Sequence, residues 1–467
     1  MKTSWLCVAL TVAVDLVLVS AQAPRPQSAA AVATRANVPY VDAKPILETL
    51  RQDLLPAELR AKAPAEIESA WPAWVSRHDQ TIRARLERGD DDSIVNLLLF
   101  GVTFTKQPRA KAQDILTLAA RARSTEFLQD RSVKGRVDDM VAAVALPGTN
   151  ERLQFARQVI ERKGIDPRTA AGKNQVRRYL EEELKRVLVG YETYARAASP
   201  SLDFGGRGLS SDTSIFSDFA VEQTLAAIKS GGMLGAGSVR RVAIVGPGLD
   251  FTDKLEGYDF YPQQTFQPFA VIDSLIRLGL ATRDLRVTTL DLSLKINQHL
   301  EAARQRARAG GGYVLQLPLT TDSHLNPDLV TYWKRFGDRI GEETKAVTAP
   351  SAVESVQLRA VRVPPAVVMT IVPRDLNIVL QRFEPMAADE RFDLVIATNI
   401  LIYYDAFEQS LALANVATML RPGGYFLSNN NPASILPTIP MDVVGSTDVV
   451  YTDQLNDKDR IVWCRRR

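Results

Sequence analysis

The hydrophobic and polar positions of this chain change rhythm several times. Lys2 precedes a mostly apolar run from Leu6 to Val19, interrupted by Asp15 and followed by the small residues Ser20 and Ala21. The run is short for a bilayer span and reads as an export signal over 1–21. Residues 22–41 are rich in Ala and Pro with no periodic apolar face, which predicts a flexible tether. From Asp42 to Ala198 apolar positions recur at three and four residues, the spacing of one helix face. Val176, Leu180, Leu184, Val187, Leu188 and Tyr191 share such a face, opposite Arg177, Arg178, Glu181, Glu182 and Lys185. Gly89, Gly101, Pro147-Gly148 and Gly164 punctuate the helices, Asp166-Pro167 reads as a helix start, and Trp71 and Trp74 read as core. The prediction is an all-α domain over 42–198.

The Ser/Gly/Asp-rich stretch 199–214 predicts a linker, and a helix follows from Ile215 to Ser230. The period then shortens. Brief apolar runs alternate with helical patterns through 215–467, which is the signature of an α/β sheet with crossovers. Strands are expected at 241–245, 285–290, 376–380 and 391–399, with a helix over 407–420. Two further strands, 448–452 and 460–464, form an antiparallel hairpin. A long excursion occupies about 310–374 before the third strand.

Composition narrows the chemistry. The 467 residues are 46% hydrophobic and 24% charged, ordinary globular values, with 57 basic against 54 acidic residues. That balance gives no reason to expect a nucleic-acid partner. Cys7 and Cys464 are the only cysteines, and Cys7 lies in the signal, so a disulfide framework and a cysteine zinc site are excluded. No metal site is expected, and past the signal no stretch is long and apolar enough to cross a membrane. The mature chain is therefore expected to be exported, periplasmic or secreted, or membrane-tethered if the signal is kept.

Candidate binding residues cluster after strands. The run 241–245 ends in Gly246-Pro247-Gly248-Leu249-Asp250, where glycines let a ligand approach the backbone. A dinucleotide fingerprint asks for glycine at 251, which is Phe251, and this disfavours a nucleotide-dependent oxidoreductase. The second strand ends in Asp291, which can accept hydrogen bonds from ribose hydroxyls or cap the next helix. Tyr258, Phe260, Tyr261 and Phe266 follow the glycines, and Tyr332, Trp333 and His324 lie in the long excursion. These aromatics read as packing groups, and His324 as a turn residue.

The strand Phe392-Asp393-Leu394-Val395, the helix after it, and Leu420-Arg421-Pro422-Gly423-Gly424 together resemble the class I S-adenosylmethionine-dependent methyltransferases. Asn399-Ile400-Leu401-Ile402-Tyr403-Tyr404, Leu290-Asp291-Leu292-Ser293 and Gly311-Gly312-Tyr313 look most like the chemotaxis-receptor glutamate methyltransferases. The resemblance covers about 215–467. It implies a Rossmann-like sheet with a closing antiparallel hairpin, here preceded by the all-α domain, and S-adenosylmethionine as cofactor. Carried onto this chain, Gly246 and Gly248, with Asp250 at the third glycine position, face the methionine part. Asp291 then holds the ribose, and Asn399 and Ile400 line the site near the methyl group. Ile244 replaces the usual acidic residue before the glycines, and the adenine-reading position falls near Gln381-Arg382. The implied activity is methyl transfer to an acceptor, small molecule or protein, with a protein carboxylate as one candidate. The competing expectation is an exported, non-catalytic interaction protein on a degenerate form of the same fold.

Overall fold

A computed structural model describes residues 33–196, 208–210, 213, 215–251, 258–320, 324–351, 353, 356–429, 436–453 and 457–467. The expected signal at 1–21, residues 22–32 of the tether and most of the 199–214 linker lie outside the described residues. The helices are α1 (Tyr40–Thr49), α2 (Ala57–Arg60), α3 (Pro64–Phe100), α4 (Ala112–Ala120), α5 (Arg131–Ala145), α6 (Glu151–Arg162), α7 (Ala170–Arg196), α8 (Ile215–Ser230), α9 (Gln267–Arg277), α10 (Leu294–Arg308), α11 (Pro327–Arg335), α12 (Pro365–Val368) and α13 (Ala406–Met419). The strands are β1 (Thr34–Asn37), β2 (Val239–Val245), β3 (Ala281–Asp291), β4 (Tyr313–Thr320), β5 (Glu342–Thr344), β6 (Val356–Val363), β7 (Ile371–Asp375), β8 (Gln381–Glu384), β9 (Phe392–Ala397), β10 (Leu420–Ser428), β11 (Met441–Val450) and β12 (Lys458–Arg466).

The central sheet has seven strands in the order β11-β12-β10-β9-β2-β3-β7. Strands β7, β3, β2, β9 and β10 are parallel, while β12 runs antiparallel to β10 and to β11. The chain thus builds outward from β2 through β3 to β7, returns to β9 beside β2, and closes with the hairpin. This is the Rossmann-like sheet with a closing antiparallel hairpin expected from the sequence. Every residue of β9 is buried because both faces of the sheet are covered, which is why FDLVIA reads as a continuous apolar run. Cys464 packs on β12, and burial pushes its thiol up to about 12.

Four expectations are corrected. The third strand is β7 at Ile371–Asp375, not 376–380. Gly89 does not break a helix but sits inside α3, where an added Cβ would stand 2.0 Å from the Leu209 carbonyl oxygen. An extended segment at 208–210 crosses α3 there, with the Leu209 N–H donating to the Arg85 carbonyl at 3.1 Å. Asp166 caps a turn through the Arg168 N–H, and α7 begins later, where the Thr169 hydroxyl accepts from Gly172 N–H at 2.9 Å. Within the expected tether, residues 34–37 form β1, paired antiparallel with β8.

The long excursion before β7 is a second layer rather than a loop. Its strands β4, β6 and β5 form an antiparallel sheet, and Tyr332 and Trp333 are buried under it. The helix α3 ties the helices to the sheet. Ile67, Trp71, Trp74, Val75 and Ile82 pack into the core on one face of the sheet, with Trp71 and Trp74 stacked at 4.9 Å. The unbroken run Ile94–Phe100 is buried all round in the core formed with α4 to α7. A helix of 37 residues reaches about 55 Å, enough to serve both cores. Residues Ala33–Arg467 form one compact unit. No helix among the described residues is long and apolar enough to cross a membrane.

Candidate cofactor site at the carboxyl edge of the sheet

In an open parallel sheet, ligands bind at the carboxyl ends of the strands where the strand order reverses. Here that point lies between β2 and β9. Strand β2 leaves its sheet through Gly246 and Gly248, both with positive φ, at 64° and 69°, where a side chain would be strained. The Gly246 N–H donates to the Leu290 carbonyl at 2.9 Å, joining the glycine turn to the end of β3. A Cβ on Gly246 would meet Ile400 Cδ1 at 2.2 Å, so the Ile400 side chain lies directly against the turn. Two of the expected residues therefore share one site.

Asn399, one residue earlier, is in the left-handed region at φ 57°, a conformation Asn tolerates better than most residues. Its N–H donates to Asn429 Oδ1 at 2.7 Å, its Oδ1 accepts from Asn429 Nδ2, and its Nδ2 donates to Ser217 Oγ at 3.2 Å. The side chain is exposed and braces β10 and α8 at the rim.

Asp291 ends β3. Its Oδ1 accepts from the Ser293 N–H at 2.7 Å, so it caps the turn into α10, while Oδ2 makes no hydrogen bond among the described residues. The residue is 8% exposed, and burial raises its carboxyl to about 7, opposed by the Ser293 N–H and the Lys295 ammonium. The cap and the ribose-acceptor readings are compatible, because they use different oxygens.

Asp250 is placed apart from these groups. Its Oδ2 accepts from Gln264 Nε2 at 3.1 Å, and Gln264 bonds in turn to both backbone groups of Gln316 on β4. It lines a small cavity of about 50 Å³ with Tyr258, Tyr261, Phe266, Ile215 and Phe216. The Tyr258, Tyr261 and Phe266 rings are buried, as expected of packing groups, and His324 is exposed 3.8 Å from the Asp453 carboxylate.

The structure brings in residues that the sequence did not single out. Arg152, at the start of α6 and 2% exposed, donates to the carbonyls of Asp250, Phe251, Asp259 and Tyr261. Phe251 itself is buried against Phe155 of α6 at 5.0 Å between ring centres. The helices thus grip the segment that follows the glycines. On the other side, the Thr265 N–H donates to the Tyr313 hydroxyl at 2.9 Å, and His299 Nε2 lies 2.8 Å from the same oxygen. Burial lowers His299 to about 4, so it is neutral near pH 7.

Gln381 and Arg382, expected near an adenine-reading position, lie instead on β8, where Arg382 pairs with Asp42 and Glu384. The carboxyl end of the third strand is Asp375 to Asn377. Asp375 pairs with Arg83 at 2.9 Å and with Arg35 at 2.8 Å. Asn377 is fully buried and donates to Asp79 Oδ1 at 2.7 Å. Arg85 donates to the Tyr403 carbonyl at 2.6 Å, and Asp90 stands 3.9 Å from Lys295. Successive turns of α3 therefore pass over the ends of β7, the passage after β9 and the start of α10, and they roof the edge.

Neither a protein-family model nor a curated protein sequence matches this chain. Among solved structures, it is similar to the N-methyltransferase NodS from Bradyrhizobium japonicum WM9 in complex with S-adenosyl-L-homocysteine. Identity is 12%, with 53% of this chain and 85% of that one covered and a TM-score of 0.25. The glycopeptide N-methyltransferase MtfA complexed with sinefungin is 12% identical over 54% of this chain and 94% of its own, with a TM-score of 0.28. Magnesium protoporphyrin IX methyltransferase from Synechocystis PCC 6803, with bound S-adenosylmethionine, is 12% identical over 60% and 91%, with a TM-score of 0.26. At this distance the strand order and the closing hairpin, rather than the neighbours, carry the fold.

Proposed function

We propose that this chain binds S-adenosylmethionine at the carboxyl edge of β2, β3 and β9 and transfers its methyl group to an acceptor. The observation that carries the reading is the convergence of Gly246, Gly248, Asp291 and Ile400 at the point where the strand order reverses, under the roof of α3. The residues suit the group. Positive φ at Gly246 and Gly248 turns the backbone sharply at the strand end, with Ile400 packed into the space beside Gly246, and Asp291 Oδ2, which makes no hydrogen bond among the described residues, can accept from a ribose hydroxyl. Ile400 supplies an apolar wall beside the reacting carbon. When bound, the cofactor supplies an electrophilic methyl on a sulfonium leaving group, so the protein's task is alignment and exclusion of water. Asn399 ties the passage after β9 to Asn429 at the end of β10, and α3 crosses the edge above it.

A carboxylate is the acceptor that fits this residue set most simply, because it is already nucleophilic and needs no general base. The likeness of Asn399-Ile400-Leu401-Ile402-Tyr403-Tyr404 to the chemotaxis-receptor glutamate methyltransferases makes a protein side chain the first acceptor to try.

Isothermal titration of S-adenosylmethionine into the full chain tests the reading, with binding expected between micromolar and millimolar dissociation constants. Asp291→Ala should weaken it about tenfold, the loss of one hydrogen bond to a charged group. No heat at millimolar cofactor would return the chain to the second reading, an interaction protein on the same fold. Transfer to a carboxylate would leave an alkali-labile methyl label on the acceptor, whereas an alkali-stable label would exclude the ester.

A further inference from the structure

The opposite edge of the sheet holds a cleft of about 970 Å³ at the amino ends of β2, β3, β7, β9 and β10. Five arginines line it, Arg240, Arg241, Arg286, Arg391 and Arg421, together with Asp284, Asp389 and Asp393. The internal pairing leaves an excess of positive charge. Asp393 accepts the N–H groups of Arg240 and Arg241, at 2.7 and 2.9 Å, and pairs with Arg421. Asp284 accepts from the Thr282 hydroxyl and stands 3.9 Å from Arg240. Arg391 donates to the Thr418 carbonyl at the end of α13, a favourable place for a cation.

Arg241, Arg286 and the Asp389 carboxylate remain, and five arginines against three aspartates leave the cleft positive. Arg241 and Arg286 are register partners on the neighbouring strands β2 and β3, and both side chains line the cleft. Neither guanidinium has a hydrogen bond or an ion pair among the described residues. Adjacent strands lie about 4.8 Å apart, and like charges placed side by side at that spacing repel unless an anion lies between them. The Ser238 hydroxyl is buried at the wall of the same cleft and has no hydrogen-bond partner. Leu285, Met369 and Val372 provide an apolar flank.

We propose that this cleft binds a small molecule carrying a diphosphate, with Arg241 and Arg286 each forking onto one phosphate, Ser238 donating to a bridging or terminal oxygen, and the apolar flank taking the rest of the ligand. Guanidinium groups suit phosphate because their planar donors match it in pairs. The cleft's size is that of a small-ligand site. The site is separate from the carboxyl edge, and the proposal stands whether or not that edge carries methyl transfer.

Inorganic pyrophosphate is the probe, titrated calorimetrically into the full chain in low-salt buffer. One site with a submillimolar dissociation constant is expected, with orthophosphate about tenfold weaker because it cannot engage both arginines. Arg241→Gln and Arg286→Gln should each weaken pyrophosphate about tenfold, and Arg286→Lys by less, since it keeps the charge but not the fork. Arg178→Gln, on an exposed face of α7, should leave binding unchanged. Thermal unfolding of each variant separates loss of the site from loss of the fold, and Arg286→Lys gives a second reading if a glutamine variant fails to fold. No heat at about 10 mM pyrophosphate, equal affinities for the two phosphates, or parental affinity in Arg286→Gln would overturn the proposal.

Discussion

The two edges of the central sheet are built on opposite plans. At the carboxyl edge, α3 passes over the strand ends, Arg152 holds the carbonyls of Asp250, Phe251, Asp259 and Tyr261, and the buried Asp291 carboxyl is raised to about 7. At the amino edge, the strand ends open into a cleft lined with arginines. Burial makes the first edge sensitive to every unpaired polar group. Exposure to water makes the second tolerant of charge and selective through it. The same parallel sheet thus offers two kinds of recognition, one by shape and a few hydrogen bonds, the other by charge.

Removing the clamp at the carboxyl edge should have the largest effect. Arg152→Met would leave four carbonyls of the 250–261 segment without their donor, at a cost of roughly 3–5 kcal/mol in urea unfolding. The amino-edge counterpart, Arg391→Met, frees a single carbonyl and should cost about 1 kcal/mol. Similar losses at the two edges would break the contrast.

Asp291 gives the next effect. Its carboxyl titrates near 7 in the folded protein against an ordinary 3.8, so the native state holds a proton that the unfolded chain releases. Stability should therefore fall as pH rises from about 4 to 7 and level off above. Asp291→Asn should abolish that fall, stabilising the protein by roughly 2–4 kcal/mol at pH 8 and leaving it unchanged at pH 4. Denaturant melts at the two pH values check it, and an equal effect at both would mean the carboxyl is not raised.

The smallest effect belongs to the open edge. Replacing Arg241 and Arg286 together by glutamine should raise the melting temperature by no more than about a degree in anion-free, low-salt buffer. The gain should vanish at high salt, where the repulsion is screened. A large loss of stability would show that the two arginines hold the sheet together rather than wait for a ligand.

Much of this was legible along the chain, for identifiable reasons. β9 is buried on both faces, so its apolar run announced itself, and Asp405 with Glu408 completes a capping box at the start of α13. β7 was misplaced because it is the outermost strand of its sheet and carries Pro373 and Arg374, which an edge tolerates and a central strand does not. The apolar run Leu376–Leu380 imitated a strand, but it is a buried turn under α3 and α13, held by Asn377 and Asn415. Gly89 imitated a break because the reason for a glycine there is a crossing segment distant in sequence. Asp250 fell in the right turn, but its side chain faces β4.

Local pattern, then, determined the elements, the order in which they alternate, and the turn that carries Gly246, Gly248 and the strand end that carries Asp291. Those features follow from burial periodicity and backbone conformation, which neighbours in sequence impose. Tertiary structure alone decided that α3 roofs the strand ends, that Arg152 reaches the glycine segment, and that Arg241 and Arg286 stand side by side. Each depends on contacts between segments far apart in sequence, and a guanidinium or carboxyl acquires its meaning from the groups that such contacts bring to it.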